Sequence, residues 1–380
     1  MDEKYEKLPI YQQMEGKYLK KADIVKNFPS NFGINNSREQ FEYATTSGTT
    51  SDRMQIIRKP NWWIDEYERT YSNHAKLKKY FDENIHKVIF TTAQCSNLVC
   101  FLERPLMEQR IINNTLYVNN TFNPWDWTEE NIRKISDEIN YFKPYYMDAD
   151  PVYLGIFLYL RKKYHIEEPL HTPEIITLSY EFVPSNMRTY IEKYFDTEVR
   201  NLYGTTEFGY AFLENAEGKM QICPDLLEVK LHPVEAEKNL YSLIISSTKN
   251  EYMPLINYYV GDMVIATKDE VENFANDGVV TKMAGREKDL LWNQLSVSML
   301  DDVVAGGSSN VMLYQFYFIS DNLCHFNYLT FNGEELSDEE KEGIKSKMLE
   351  YRPELNLTFH PVSDITPEVS GKFSIIKRII

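Results

Sequence analysis

The stretch LSYEFVPSNMRTYIEKYFDTEVRNLYGTTEFG, residues 178–209, decides the fold. Apolar side chains in its middle, such as Met187, Ile191 and Phe195, recur at the spacing of an amphipathic helix. The run EVRNL (198–202) that follows has the composition of a β-strand, and it leads into a turn rich in hydroxyl groups. A helix, a strand and a polar turn in this order predict a layered α/β protein.

The same alternation of helices and strands continues on both sides of this stretch. Apolar residues recur from Ile132 to Phe142 after the capping-box-like sequence DWTE, and the pattern stops at Pro144. Asp150-Pro151 begins the next predicted helix, PVYLGIFLYLRKKYHI (151–166), which is apolar on most sides and therefore expected to be buried. Further strands are predicted at EIITL (174–178) and LYSLIISST (240–248).

The pattern changes after about residue 290. VMLYQFYFI (311–319) and CHFNYLTF (324–331) predict paired strands, Ser337 begins a charged helix, and LNLTFHPV (355–362) adds one more strand. This is a compact α+β module of roughly 90 residues, a size that can carry its own core. We therefore place a boundary near Asp289. The predicted domains are a large N-terminal α/β domain, residues 1–288, and a small, mobile α+β C-terminal domain, residues 289–380.

Composition narrows the classes of function. The chain has 380 residues and a formal net charge of −16, which disfavours nucleic-acid and anionic-membrane partners. The start, MDEKYEKLPIYQQM, lacks the apolar core of a signal peptide, and no apolar run reaches membrane-spanning length. We therefore expect a cytoplasmic protein with free thiols. Its cysteines, which show neither CxxC nor zinc spacing, are Cys95, Cys100, Cys223 and Cys324.

Two loops carry groups that can surround a nucleotide. YATTSGTTSDRMQ (43–55) offers hydroxyls and unhindered backbone N–H groups to phosphate oxygens, although taken alone it favours a polar surface loop. NLYGTTEFGY (201–210) offers an aromatic face, hydroxyls and a carboxylate suited to Mg²⁺. Neither a Walker-type phosphate loop nor a GxGxxG sequence after a strand is present.

Three shorter fragments add charged groups. YYVGDM (258–263) places Asp262 after a glycine, where its carboxylate can accept hydrogen bonds from ribose hydroxyls. GREKDLL (285–291) offers the guanidinium of Arg286. PEVSGKF (367–373) places Lys372 on a loop, although an exposed lysine on a frayed tail is the better explanation of that fragment taken alone.

The order TTSGTT, LYGTTE, GD, GREKD and SGK resembles the successive core motifs of the adenylate-forming acid:thiol ligase superfamily. That superfamily contains acyl- and aryl-CoA synthetases, nonribosomal-peptide adenylation domains and luciferases. Residues 178–209 are most similar to its phenylacetate-CoA ligase-like branch, and the resemblance extends over residues 43–378. It implies a large N-terminal α/β domain, and a small C-terminal domain that rotates about a hinge at Asp289.

The resemblance implies roles around the phosphates of ATP. The residue matching Thr206 touches the α-phosphate, and the one matching Glu207 ligates Mg²⁺. Lys372 resembles the mobile lysine that reaches both the substrate carboxylate and the α-phosphate. The loop that matches the binding site of the β- and γ-phosphates consists of Thr46, Ser47, Gly48, Thr49 and Thr50.

The resemblance also implies roles around the adenosine. The aromatic residue matching Tyr203 stacks on adenine, and the aspartate matching Asp262 binds both ribose hydroxyls. The arginine matching Arg286 contacts the ribose or a phosphate. The full set assigned to the nucleoside is Glu181, Tyr203, Gly204, Thr205, Asp262 and Arg286.

This chemistry needs no general base, because a carboxylic acid is already ionised near neutral pH. Its attack on ATP brings two anions together, so neutralisation by Mg²⁺ and Lys372 carries much of the catalysis. We therefore predict an AMP-forming acid–thiol ligase that uses ATP and Mg²⁺ to make an acyl-adenylate. It passes the acyl group to the pantetheine thiol of an acyl carrier protein or of CoA, in a specialised biosynthetic pathway.

Departures from the family pattern bear on the substrates. Ser51, Asp52 and Arg53 stand where the phosphate loop usually continues Gly-Lys-Pro. Tyr180 stands in the Gly-Gly-Glu position beside the expected acyl pocket, which favours a small or flat acid. The branch that the chain resembles favours an aromatic acid over a long fatty acid. LLWNQLSVSM (290–299) lacks the glycine that usually passes close to the thiol, which favours a carrier protein over CoA.

Two other functions stay open from the sequence. The adenylate can instead be passed to an amine or hydroxyl, which makes the protein an amide or ester synthetase. The altered phosphate loop is also compatible with an inactive nucleotide-binding regulatory protein. Retention of Glu207, Asp262, Arg286 and Lys372 argues against this last function, because an inactive site has no physical reason to keep all these charges.

Overall fold

The computed structural model describes residues 3–14, 16–34, 41–46, 54–91, 104–118, 121–223, 227–292 and 294–379. Within these ranges the helices are α1 (Glu3–Glu6), α2 (Pro9–Gln12), α3 (Lys21–Val25), α4 (Trp62–Ser72), α5 (Ala75–Asp82), α6 (Glu129–Phe142), α7 (Pro151–Lys163), α8 (Ser185–Phe195), α9 (Lys268–Asp277), α10 (Val297–Gly307) and α11 (Asp338–Tyr351).

The strands in the same ranges are β1 (Glu42–Thr45), β2 (Gln55–Arg58), β3 (Lys87–Phe90), β4 (Ile111–Ile112), β5 (Thr115–Tyr117), β6 (Tyr146–Ala149), β7 (Ile175–Leu178), β8 (Glu198–Thr205), β9 (Gly209–Glu214), β10 (Met220–Ile222), β11 (Glu228–Glu235), β12 (Leu240–Ser247), β13 (Leu255–Ile265), β14 (Val279–Val280), β15 (Lys282–Arg286), β16 (Val311–Ser320), β17 (Leu323–Thr330), β18 (Asn356–Pro361) and β19 (Ile376–Arg378).

The chain forms two compact units, each built from two segments. The first unit contains Met1–Phe81 and Leu202–Lys288, and the second contains Asp82–Asn201 and Asp289–Ile380. Strand β8 begins in the second unit and ends in the first. One boundary between the units falls at Asp289, but residues 82–201 belong with the C-terminal segment, so the division into domains 1–288 and 289–380 stays a prediction.

The second unit is built on a mainly parallel sheet. Residues 198–201 of β8 pair with β7, and the order continues through β6, β3 and β5, with β4 antiparallel at the edge. All residues of β6 and β7 are buried, as expected for parallel strands covered on both faces. The apolar faces of α6, α7 and α8 pack into the same hydrophobic cluster.

The predicted helices of this unit are confirmed. Helix α6 begins after Thr128, whose hydroxyl accepts from the N–H of Asn131 in a capping box, and it ends before Pro144. Helix α7 begins after Asp150 and is buried along most of its length, which agrees with its apolar sequence. Helix α8 buries Met187, Ile191 and Phe195, the residues whose spacing predicted it.

The C-terminal segment of the second unit forms a four-stranded sheet in the order β18–β17–β16–β19. Strands β16 and β17 make the predicted antiparallel pair, and Ser337 caps α11 in a box with Glu340. This sheet has its own apolar cluster with α10 and α11. Met312, Leu313 and Leu329, however, belong to the cluster that contains α6, α7 and α8. The C-terminal segment therefore shares part of its core with the parallel sheet of this unit.

The first unit contains three antiparallel arrangements. Strands β1 and β2 form a hairpin, residues 202–205 of β8 pair with β9 and lead on to β10 and β14, and a separate sheet has the order β11–β12–β13–β15. One apolar cluster, which includes Phe208, Phe212 and Leu243, joins them. Sheets and helices in layers confirm the predicted α/β fold class.

Candidate functional site

The end of β8 and the turn between β8 and β9 carry the residues matched to the adenine and the α-phosphate. Gly204 and Thr205 still belong to β8, so Gly204 is a strand residue and not part of the turn as the sequence suggested. A Cβ on Gly204 would lie 2.8 Å from the carbonyl oxygen of Gly209, which explains why only glycine fits this hairpin. The hydroxyl of Thr205 accepts from the N–H of Phe208 at 3.2 Å and closes the turn around Thr206 and Glu207.

Tyr203 and Asp262 are joined by a short hydrogen bond. The phenol of Tyr203 donates to Oδ2 of Asp262 at 2.6 Å. Burial, followed by the nearby Asp262 carboxylate, raises the pKa of Tyr203 well above its ordinary value, so the phenol stays a donor. This bond holds one edge of the tyrosine ring.

Asp262 also faces an arginine across a pair of strands. The antiparallel register of β13 and β15 places Asp262 opposite Arg286, and Nε of Arg286 lies 3.5 Å from Oδ1 of Asp262. Gly261, directly before the aspartate, has φ of +82°, a conformation that glycine adopts without strain. The structure thus brings Tyr203, Asp262 and Arg286 into one polar chain with an aromatic ring at one end.

Glu207 lies in the same unit, beside a second buried tyrosine. The phenol of Tyr258 lies 3.4 Å from Oε1 of Glu207. Burial raises the pKa of Glu207, the Asp262 carboxylate adds to the shift, and Lys21 opposes it. A bound cation would offset this cost of holding the carboxylate charged.

Among the described residues, no three His, Cys, Asp or Glu side chains converge as a complete metal site. Proteins usually bind Mg²⁺ through one or two carboxylates together with substrate phosphates. Glu207 is the carboxylate positioned for that role. The assignment stays a prediction.

Thr46 marks the base of the predicted phosphate loop. Its N–H donates to the carbonyl of Met54 at 2.9 Å, and its hydroxyl accepts from the N–H of Met54 at 3.1 Å. Thr46 is buried, so its hydroxyl closes the base of the loop. The other predicted loop residues, Ser47, Gly48, Thr49 and Thr50, and the departures Ser51, Asp52 and Arg53, lie outside the described residues.

Lys372 lies in the second unit, in a tight turn near the C-terminus. The N–H of Glu368 donates to the carbonyl of Lys372 at 2.9 Å, and the N–H of Gly371 donates to the carbonyl of Glu368 at 2.7 Å. The ring of Phe373, which follows the lysine, packs against the ring of Tyr153 at 5.6 Å between centroids. The turn is therefore ordered by its own backbone and by an aromatic contact.

Glu181 also lies in the second unit, directly after the carboxyl end of β7. Its Oε2 accepts from the N–H of Phe373 at 2.8 Å, while its Oε1 is buried with no hydrogen-bond donor. The neighbouring carboxyl is that of Asp150, and Lys372 contributes an opposing positive charge to both acids. The contact of Glu181 in the structure is thus the turn that carries Lys372.

The sequence did not identify two of these partners. Tyr258 was not assigned any role beside Glu207, and Asp150 was interpreted only as the start of α7. Asp150 does cap that helix, because its Oδ1 accepts from the N–H groups of Val152 and Tyr153 at 2.9 and 3.2 Å. The Asp-Pro sequence therefore predicts the start of α7 correctly. It gives no indication that Asp150 also interacts with Glu181.

No helix in the described ranges combines the length and apolar character needed to cross a bilayer. The two described cysteines, Cys223 and Cys324, are buried free thiols, whereas Cys95 and Cys100 lie outside the described residues.

No protein-family model matches the chain. A curated relative, protein CapK from Staphylococcus aureus, is 27% identical over 168 residues, which are 43% of this chain and 36% of CapK. The chain thus matches about a third of the length of this relative.

Solved structures match over nearly the whole chain. A 2-hydroxyisobutyryl-CoA ligase in the postadenylation state, in complex with R3-HIB-AMP, is 12% identical with a TM-score of 0.66, over 95% of this chain and 79% of that ligase. The anthranilate CoA ligase AuaEII, in complex with anthranoyl-AMP, is 13% identical with a TM-score of 0.59, over 89% of this chain and 67% of AuaEII. The chain therefore has the fold of the adenylate-forming acyl- and aryl-CoA ligases, and the resemblance found in the sequence is confirmed at the level of fold.

Proposed function

We propose that this chain is an AMP-forming acid–thiol ligase. It activates a carboxylic acid with ATP as an acyl-adenylate and transfers the acyl group to a pantetheine thiol. The fold shared with ligases that hold acyl-AMP supports this reaction class. The observation that carries the proposal is the polar chain of Tyr203, Asp262 and Arg286 next to Glu207 in the first unit.

This polar chain suits an adenosine and its phosphate. Asp262 presents carboxylate oxygens that can accept from ribose hydroxyls, and the partly exposed guanidinium of Arg286 can donate to ribose or phosphate oxygens. The ring of Tyr203 offers a face to the base while its hydroxyl remains bonded to Asp262. We propose that Thr206 contacts the α-phosphate and that residues 46–50 contact the β- and γ-phosphates.

We propose that Glu207 holds Mg²⁺, whose charge neutralises phosphate oxygens during attack by the acid. Lys372 supplies the second positive charge, for the substrate carboxylate and the α-phosphate. Removal of one such preorganised group costs roughly 3–4 kcal/mol of activation free energy in other enzymes. We also propose that Asp289 acts as the hinge of a C-terminal domain spanning residues 289–380.

A small or aromatic acid is the proposed substrate. The similar ligases hold the adenylates of 2-hydroxyisobutyryl-type and anthranilic acids, which are both compact. Tyr180 supports this size range, because its hydroxyl donates to Oδ2 of Asp148 at 3.1 Å and fixes a bulky ring directly before Glu181. We propose CoA or an acyl carrier protein as the acceptor; the matched ligases are named for CoA, and the sequence after Asp289 favours a carrier.

The test is acid-dependent exchange of pyrophosphate into ATP in the presence of Mg²⁺, with a panel of small aliphatic and aromatic acids. Thioester formation is then measured with CoA and with a pantetheinylated carrier. We expect exchange with at least one acid and a thioester with one acceptor. Exchange without any thioester indicates transfer to an amine or hydroxyl. ATP binding without exchange for any acid rejects the proposal in favour of a nucleotide-binding regulator.

A further inference from the structure

We propose that Asp150 and Glu181 share one proton between their carboxyl groups, and that this acid pair holds the turn of Lys372 and positions its ammonium group. The catalytic use of that ammonium rests on the proposed function. The acid pair itself is argued from contacts within the second unit alone.

The backbone next to Lys372 is fixed by Glu181. Oε2 of Glu181 accepts from the N–H of Phe373 at 2.8 Å, and the bonds between Glu368, Gly371 and Lys372 tie the rest of the turn to this point. A backbone amide that loses its only hydrogen-bond partner in a buried position costs free energy, so this bond resists opening. Glu181 therefore fixes the backbone position from which the side chain of Lys372 extends.

The remaining oxygen of Glu181 requires a proton from its neighbour. Oε1 is buried without a donor, and the side chain of Glu181 interacts with the carboxyl group of Asp150. Asp150 already accepts two backbone N–H groups of α7 through Oδ1, so it is held in place. Two carboxylates in contact repel each other, whereas a carboxylic acid and a carboxylate form a strong hydrogen bond.

The charged surroundings favour a single shared proton. On β6, Asp148 accepts from Lys87, Thr177, Ser179 and Tyr180, and is thus balanced by its own partners. On α7, the hydroxyl of Tyr153 donates to the carbonyl of Phe122. From the C-terminal turn, Lys372 faces the acid pair. A pair with one proton carries a charge of about −1, which the ammonium neutralises, and a neutral cluster is the least costly to bury.

The direction of the pKa shifts agrees with this geometry. Burial raises the pKa of Asp150 to about 6 and that of Glu181 well above its ordinary value. Asp150 raises the pKa of Glu181 further, whereas the hydrogen bond with Glu181 lowers the pKa of Asp150, so the shared proton lies mainly on Glu181. Loss of the shared proton at high pH leaves two adjacent carboxylates. Their repulsion should displace Glu181 from the N–H of Phe373 and release the turn.

Three variants test the pair in the full-length protein. Glu181→Gln keeps an oxygen for the N–H of Phe373 and permanently supplies a donor to Asp150, so it imitates the shared-proton state. Glu181→Ala removes both contacts. Glu368→Gln removes one carboxylate from the same turn without touching the pair, and is the matched control.

The first measurement is hydrogen exchange at the Phe373 amide, resolved by NMR or fragment-ion mass spectrometry and corrected for intrinsic exchange at each pH. We expect protection in the wild type and in Glu368→Gln that falls at alkaline pH, and protection in Glu181→Gln that does not fall. In Glu181→Ala the amide should exchange about 10- to 100-fold faster at every pH, as expected when a buried amide loses its hydrogen-bond acceptor. Equal behaviour of the Gln and Ala variants, or pH-independent protection in the wild type, overturns the proposal.

The second measurement is the pH profile of pyrophosphate exchange. Each profile is normalised to its own rate near neutral pH. We expect kcat to fall at alkaline pH in wild type and in Glu368→Gln, and this fall to be absent in Glu181→Gln. If the wild type shows no exchange with any acid, the proposed function fails, and the amide measurement still decides whether the acid pair exists.

Discussion

Carboxylates serve two different purposes in the two units of this chain. In the first unit, Asp262 is bonded to the phenol of Tyr203 and faces Arg286, so its charge is already balanced by donors and a cation. In the second unit, Asp150 and Glu181 face one another and a lysine. The first arrangement suits the binding of hydroxyl groups, and the second suits the holding of a proton and a flexible cation. The partners, and not the residue type, decide the chemistry.

The comparison predicts that removal of the Lys372 ammonium group lowers the rate of pyrophosphate exchange and leaves the affinity for ATP nearly unchanged. Lys372→Ala should lower acid-dependent pyrophosphate exchange by about 10²- to 10³-fold, the usual loss when one preorganised charge is removed. The dissociation constant for ATP, measured by calorimetry, should stay within a few fold of wild type. Loss of ATP binding in this variant would contradict the proposal that Lys372 acts in the reaction and not in the binding of ATP.

The opposite pattern is expected for the aspartate of the first unit. Asp262→Asn keeps the shape of the side chain but removes the charge that accepts from ribose hydroxyls. The affinity for ATP should fall by about 10- to 100-fold, the range for hydrogen bonds to a charged group. Arg286 loses its partner as well, so Asp262→Asn should be compared with Glu287→Gln, which alters the neighbouring carboxylate. Unchanged ATP affinity would remove Asp262 from the binding site.

The acid pair of the second unit predicts an unusual dependence of stability on pH. Burial raises the pKa of Asp150 to about 6 in the folded chain, from an ordinary value of 3.8. A group with a raised folded pKa stabilises the fold below its unfolded pKa and loses that contribution as pH rises through the folded pKa. Relative to Asp150→Asn, which retains a helix-capping side chain, wild type should therefore become less stable between about pH 4 and 6, by about 1.4 kcal/mol per pH unit.

Urea unfolding of both proteins at several pH values measures this difference. Most paired carboxylates lower their pKa on folding and give the reverse trend. A difference in unfolding free energy that stays constant or increases with pH would show that Asp150 is ionised throughout.

The smallest effect is expected at the phenol of Tyr203. Tyr203→Phe keeps the ring face for the adenine and removes the bond to Asp262. The affinity for ATP should fall by about 3- to 10-fold, which corresponds to one hydrogen bond of modest net strength. Tyr258→Phe, which alters the contact with Glu207, should instead change the dependence on Mg²⁺ concentration in the exchange assay. If both variants respond alike, the two tyrosines do not have separate roles.

The sequence predicted the local elements well, because helical spacing, capping residues and prolines act over a few residues. Helices α6, α7 and α8 and the pair β16–β17 follow directly from such patterns. The bond between Tyr203 and Asp262 joins residues 59 positions apart and depends on how β8 and β13 are placed in the fold. No local pattern contains that information, so only the resemblance suggested that these residues act together.

Glu181 shows what motif matching leaves out. Its assignment to the nucleotide stays a prediction, and the structure adds a bond between its Oε2 and the N–H of Phe373, 192 positions along the chain. The proposed acid pair could not be inferred from sequence, because Asp150 carries a complete and sufficient signal for capping α7. When a local role such as helix capping already explains a residue, the sequence does not indicate that the same side chain makes a second, long-range contact.

The two bonds between Thr46 and Met54 fasten the hairpin at the end where β1 leaves off and β2 begins. They continue the ladder in which Thr45 lies opposite Gln55. A substitution at Ser51, Asp52 or Arg53 therefore removes none of the groups that hold these two strands in register.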